Sequence, residues 1–325
     1  MDLNAYQDFA KIDRENMAAQ IEGLPAQLAE ACQMSLTLPL PPMSPIAKIV
    51  VAGMGGSAIG ADMLAGYLAD QLPVPLYVHR DYDLPAFSSG SDTLVVISSH
   101  SGNTEEAVSA FERAILRKCQ LVILTTGGKL EKMGREAHVP VWKFQHVGQP
   151  RCAVGYSFGL LLGLMIRLGL IDDPAADVAE AVRVMTSLQD QLRENVPVIQ
   201  NPAKRQAGQF LGRHVTVFAS GFLAAVARRW KDQFNEVAKA SAAFEPLPEA
   251  DHNTLAGIYN PEAQIPQEYA MFLSAAQDHP RNKIRLVKTR EIMMLEGICT
   301  DAFIARGQSR LAQLWSTLLY GDYVA

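Results

Sequence analysis

The stretch that most constrains the fold begins at residue 93. Thr93-Leu94-Val95-Val96-Ile97 is an apolar, β-branched run that ends in Ser98-Ser99-His100-Ser101-Gly102-Asn103-Thr104. Beyond it Val108, Phe111, Ile115 and Cys119 recur at helical spacing. A strand apolar along its whole length, followed at once by an amphipathic helix, is buried on both faces and fits a parallel sheet covered by helices. The same order occurs earlier, where the run 49–52 enters "GMGGSAIG" and a helix is expected over 59–68. Further strands are expected at 76–79, 121–125 and 139–144, so the fold class is α/β.

The pattern then restarts. "HVTVFASGFLAAVARRW", from His214, repeats the strand, glycine and helix order, with later strands expected at 269–274 and 299–304 and helices at 281–295 and 308–320. So long a period indicates a duplicated α/β domain and not a solenoid of short repeats. Proline-rich "LPLPPMSP" closes a helical N-terminal segment, and "NVPVIQNP" reads as a linker. The expected organisation is therefore an N-terminal helical segment and connector (1–46), a first doubly wound parallel-sheet domain (47–195) and a second one (196–325). Between 151 and 170 the chain is apolar and rich in glycine, which suits a buried helix packed closely on its neighbours.

Composition excludes several functions. With 49% hydrophobic and 19% charged residues the chain can bury a large core, and a formal net charge of −5 without a basic run makes a nucleic acid an unsuitable partner. Cys32, Cys119, Cys152 and Cys299 lie too far apart to form a CxxC metal pair or a dense disulfide framework, as expected of a cytoplasmic protein. No signal-peptide pattern or membrane span is expected, and His100, His138 and His146 lack the spacing of metal ligands.

Ligands of an open parallel sheet bind beyond the carboxyl ends of its strands, where helix N-termini expose unpaired N–H groups. Both special loops lie there. Gly55 and Gly56 let backbone approach a ligand, Ser57 can donate from its hydroxyl, and Ser99, Ser101 and Thr104 add three neutral donors at one helix mouth. Such donors suit a phosphate monoester; neither loop has the P-loop lysine or the full GxGxxG spacing of a nucleotide site. Ser101 or Asn103 could equally cap the helix while the glycines only turn the chain. Glu236 and His252 form the pairing of carboxylate and imidazole that proton transfer at carbon and oxygen uses, although each also fits a solvated position. Arg151, at the head of a long apolar helix, can stabilise a developing anion or extend its head group into solvent.

Together, "GMGGSAIG", "SSHSGNTEE", "PRCAVGYSFG", "FNEVAKASA", "PEADHN" and "ARGQSRLAQLWSTLLYGDYV" resemble, in order, the segments of the bifunctional phosphoglucose/phosphomannose isomerases, a family of the sugar isomerase (SIS) fold. The resemblance covers most of the chain from about Lys48 onward. It implies two SIS-type domains and an isomerase interconverting glucose 6-phosphate, and mannose 6-phosphate as a possible second aldose, with fructose 6-phosphate. The implied reaction passes through a cis-enediol with no metal and no cofactor. Ser57, Ser99, Ser101 and Thr104, with the backbone of Gly55 and Gly56, would hold the phosphate. Glu236 would carry the proton between C1 and C2, His252 would assist ring opening, and Arg151 would stabilise the enediolate. A homodimer is the implied assembly.

This chain departs from the family at two places. His100 stands where the family commonly has tyrosine. Family members also continue past the "GDYV" helix into a segment bearing a lysine and a threonine linked to epimer tolerance, and no residue here matches either. Two other readings stand beside the isomerase: a sugar-phosphate sensor that does no chemistry, and an isomerase of another phosphosugar.

Overall fold

The computed structural model describes residues 2–325, which divide by their packing into two compact units. One is the continuous segment 26–174; the other joins 2–25 to 175–325. Helix α1 (Met17–Glu22) belongs to the discontinuous unit, and α2 (Leu24–Ser35), apart from its first two residues, to the continuous one.

In the continuous unit the chain runs β1 (Lys48–Ala52), α3 (Gly55–Tyr67), β2 (Leu76–His79), β3 (Thr93–Ser98), α4 (Glu105–Leu116), β4 (Gln120–Thr125), α5 (Gly128–Glu136), β5 (Val141–Lys143) and α6 (Val154–Arg167). The five strands are parallel in the order β2-β1-β3-β4-β5, with Val50 opposite Val95 and Ile97 opposite Ile123. Alternation along the central strands supplies both cores. Val50, Val95, Ile97 and Ile123 face Val108, Phe111 and Ala114 of α4, and every residue of β3 is buried. Burial of a side chain such as Phe111 contributes about 1.5–3 kcal/mol. On α6, a Cβ at Gly155 would lie 2.6 Å from Gln27 Cβ and one at Gly159 2.7 Å from Ala31 Cβ, so glycine is what lets α2 lie so close.

In the discontinuous unit α7 (Ala175–Leu192), α8 (Pro202–Phe210), β6 (His214–Ser220), α9 (Ala224–Glu236), β7 (Ala242–Leu247), β8 (Glu268–Ser274), α10 (Pro280–Leu295), β9 (Cys299–Ile304) and α11 (Arg310–Val324) follow one another. Its four strands are parallel in the order β7-β6-β8-β9, the order in which the first four strands of the other sheet lie. Phe218, Ala270 and Phe272 pack on one face with Leu286 and Met293 of α10. From β7 to β8 the connection is a set of short 3-10 turns, Glu249–His252, Thr254–Gly257 and Glu262–Gln267.

The domain bounds read from sequence, 47–195 and 196–325, fall elsewhere than these units. Helix α7, placed by that reading in the first domain, packs against α11, and Arg193 and Gln189 bind the carboxylate and carbonyl of Glu22 at 2.7 and 2.8 Å. No helix among the described residues is long and apolar enough to cross a membrane.

Candidate active site

The strand order of the continuous unit reverses direction between β1 and β3, and at such a switch point the loops leaving neighbouring strands open a crevice. Both loops singled out in the sequence are there, one after β1 and the other after β3. They are joined: Ser98 Oγ donates to the Ser57 carbonyl at 2.8 Å, and Ser57 Oγ accepts the His100 N–H at 3.0 Å. Gly55 adopts φ +48°, the left-handed region that favours glycine. A Cβ at Gly56 would lie 2.7 Å from the Pro150 carbonyl oxygen and 2.9 Å from the Arg151 nitrogen, so only glycine fits against that turn.

The hydroxyls share one arrangement. Ser57 accepts from His100 N, Ser99 accepts from Gly102 N at 3.1 Å, and Ser101 accepts from Asn103 N at 3.2 Å. A hydroxyl has one proton and two lone pairs, so an oxygen that already accepts a backbone N–H keeps its proton for another acceptor. Ser99 and Thr104 share a hydrogen bond at 2.9 Å, which uses one of their two protons. Thr104 is the N-cap residue of α4, yet its side chain makes no cap hydrogen bond, and the first-turn N–H groups of a helix have no intrahelical partner. Seryl hydroxyls and the first-turn N–H groups of α4 therefore lie in these two joined loops and the helix start, donor types suited to an oxyanion. The alternative of Ser101 as a helix cap does not hold: its hydroxyl closes a turn onto Asn103 N, and Asn103 Oδ1 accepts from Lys129 N at 3.0 Å.

Arg151 lies half-buried in the turn Pro150–Cys152 that leads into α6, its backbone against Gly56. The structure thus brings Arg151 to the glycine turn, with Gly55, Gly56, Ser57, Ser99, Ser101 and Thr104 in the same unit.

Glu236 and His252 belong to the discontinuous unit, joined by β7. Glu236 is the last residue of α9 and half-buried, and its carbonyl accepts from Lys239 Nζ at 2.7 Å. The helix beneath it is firmly held. Arg229 forms a two-point buried ion pair with Asp322 of α11 at 3.1 and 2.8 Å, and Trp230 Nε1 donates to the Thr317 carbonyl at 3.0 Å. Burial pushes the Asp322 carboxyl above its usual range, against the opposing pull of Arg229. Negative charge at a helix C-terminus gains nothing from the dipole, so the helix end offers Glu236 no stability benefit.

His252 ends the turn Glu249–His252 and is exposed. Its neighbour Asp251 accepts from Arg285 Nη1 at 2.8 Å and from Thr289 Oγ1 at 2.7 Å, which ties this turn to α10. Sequence reading missed Asp251 although it stands inside "PEADHN". It also passed over His146 and Thr126, which hold the hydroxyl loop from positions that no local motif connects to it.

Two parallel sheets of matching strand order, each with helices on its faces, are the architecture of an SIS-type α/β fold. Residues 199–325 match the family described as "Bacterial phospho-glucose isomerase C-terminal SIS domain". The bifunctional phosphoglucose/phosphomannose isomerase of Caldicellulosiruptor bescii is 34% identical over 313 residues, 95% of this chain and 91% of that protein. Its namesake from Aquifex aeolicus is 32% identical over 87% of this chain and 84% of that one. Among solved structures, the C-terminal domain of glucosamine-fructose-6-phosphate aminotransferase from Francisella tularensis shares the fold, with a TM-score of 0.73 over 95% of each chain at 12% identity. The chain belongs to the bifunctional phosphoglucose/phosphomannose isomerase family.

Proposed function

We propose that this protein is an aldose–ketose isomerase that interconverts glucose 6-phosphate and fructose 6-phosphate through a cis-enediol, with mannose 6-phosphate as a second aldose and no metal. The observation that carries the reading is the set of three seryl hydroxyls, Ser57, Ser99 and Ser101, each accepting a backbone N–H; Ser57, Ser101 and the Ser99–Thr104 pair, which uses one proton internally, then have three hydroxyl protons for phosphate oxygens. Family membership supports the reaction class.

In this mechanism the phosphate takes hydrogen bonds from Ser57, Ser99, Ser101 and Thr104 and from the backbone at Gly55 and Gly56. Hydrogen bonds to a charged acceptor contribute about 1.5–3 kcal/mol each, enough to hold a substrate that must also leave. His252 assists ring opening by moving a proton between the ring oxygen and the oxygen on C1. Glu236 removes the proton from C2 of the open aldose, and electrons shift to the carbonyl oxygen to give the enediolate. The Arg151 guanidinium stabilises that oxyanion, a role in which a fixed cation needs no metal beside it. A proton passes from the C2 hydroxyl to the oxygen on C1 to complete the transfer at oxygen, and Glu236 returns its proton to C1, leaving the carbonyl at C2 of the ketose.

The test is a coupled assay of the full chain with glucose 6-phosphate and mannose 6-phosphate offered separately in the presence of EDTA. Turnover of both is expected. Turnover of glucose 6-phosphate alone would confine the enzyme to one epimer. No turnover, with fructose 6-phosphate still raising Tm, would leave a sugar-phosphate binder that does no chemistry.

A further inference from the structure

The hydroxyl loop is held at its middle residue by that residue's backbone N–H, its carbonyl and one ring nitrogen. His100 donates its N–H to Ser57 Oγ at 3.0 Å, and its carbonyl accepts from Thr126 N at 3.0 Å and Thr126 Oγ1 at 2.7 Å. Its ring Nε2 meets His146 Nδ1 at 2.9 Å, with the rings edge to face at 5.1 Å. His146 comes from the loop after β5, so this contact ties the hydroxyl loop to a segment remote in sequence. Both rings stand against an aromatic wall, Phe144 stacked on Tyr156 at 5.0 Å. That wall is fixed in turn: Tyr156 donates to Glu30 at 2.8 Å, and burial with this bond pushes its hydroxyl up to about 12, so it remains a donor.

A nitrogen–nitrogen contact of this length needs one N–H and one free lone pair, which a pair of neutral imidazoles supplies. Burial lowers the pKa of both histidines, and the charge of His146 lowers that of His100 further. Both effects keep the pair uncharged and bonded near neutral pH. Ser99 and Ser101 flank His100, so a rotation of this residue would move both hydroxyls at once.

We propose that His146 is a positioning residue for phosphate binding, acting through its ring hydrogen bond to His100 to hold the hydroxyls of Ser57, Ser99 and Ser101 at one point. The proposal rests on the phosphate reading of this loop given above. Its signature is a change in KM without a comparable change in kcat, because the phosphate end of the substrate is bound alike in ground and transition states.

The experiment uses the full chain with glucose 6-phosphate as substrate and inorganic phosphate as competing ligand. His146→Phe keeps an aromatic ring and removes the nitrogen. It is expected to raise KM and the phosphate inhibition constant roughly fivefold, the worth of about one hydrogen bond, with kcat within about twofold. His146→Asn, whose amide reaches the Nδ1 position, is expected to recover most of the loss. His100→Phe combined with His146→Phe should be no worse than the weaker single variant, since both remove the same bond. A fall in kcat at unchanged KM, or single effects that multiply in the double variant, would overturn the proposal. Ser101→Ala serves as reference. If it too leaves KM and phosphate inhibition unchanged, the phosphate reading itself fails. If it raises both while His146→Phe does not, only the role of His146 fails.

Discussion

The two sheets run through the same order of strands, and their first strands end in the same kind of turn, with Gly55 at φ +48° and Gly221 at φ +54°. At their switch points they present opposite chemistry. The first offers Ser57, Ser99, Ser101 and Thr104; the second offers buried Ser220 at the end of β6, Phe222 after it and, after β8, Asp278, whose carboxylate accepts the Ala275 N–H at 2.7 Å. Burial raises the Asp278 pKa, yet a carboxyl group there still has no use for a phosphate dianion. In the proposed reading, then, duplicating the fold did not duplicate the binding site. Anion affinity would reside in the loops of the first unit, leaving the second unit to supply the proposed acid–base residues, Glu236 and His252.

Four measurements sharpen or break this division. The largest effect is expected from Glu236→Gln, which should lower kcat by roughly 10²–10⁴-fold while leaving KM nearly unchanged; a variant with full turnover would remove the second unit from the chemistry. Next is Asp322→Ala, which removes the carboxylate of the buried Arg229 ion pair and leaves the guanidinium charge in the core. A loss of about 3–5 kcal/mol is expected in denaturant unfolding, the known cost of breaking such a pair from one side. Smaller again is the contrast between switch points. Ser101→Ala should raise KM roughly tenfold, whereas Ser220→Ala should leave it within about twofold. Equal effects from the two would show that both sheets handle the phosphate.

The smallest effect concerns pH. His100 and His146 have lowered pKa values in the folded state, so as pH falls below about 6.5 the unfolded chain takes up protons first. Their contribution to stability is complete above that value and is lost as pH falls toward the folded pKa values. Tm of the full chain should therefore drop between about pH 7.5 and about pH 5.5, and by less in His146→Phe. An equal drop in both proteins would exclude the pair as a source of the acid sensitivity.

Much of this arrangement is legible in the sequence because its signals are local. Strand β3, the two loops proposed to bind the phosphate and the apolar α6 each announce themselves within about a dozen residues. What the sequence hid has a physical cause in each case. Strand β7, not among the expected strands, carries Glu245 and Pro246, residues uncommon in central strands; it lies at the edge of its sheet, where proline costs no central ladder bond. Helix α8 was passed over inside an apparent linker, although Asn201, whose side chain accepts from Lys204 N at 3.1 Å, and Pro202 form a regular helix start. The placement of α7 depends on a partner, α11, more than a hundred residues away. His146 and Asp322 act through partners 46 and 93 residues away, and no window along the chain contains both members of either pair.

The discontinuity of one unit has a consequence for synthesis. Residues 26–174 contain all the strands of their sheet and can fold as soon as they leave the ribosome, since domains generally form as units in the order they emerge. The segment 2–25 emerges earlier but has to wait. Its contacts include Lys204 Nζ on the Leu3 carbonyl at 2.7 Å and Arg193 on Glu22, and neither can form until the chain has grown past residues 26–174 into the second unit. During that interval the segment has not met the residues it packs against in the folded unit, and the unit proposed to bind the phosphate is complete before the unit proposed to act on the sugar.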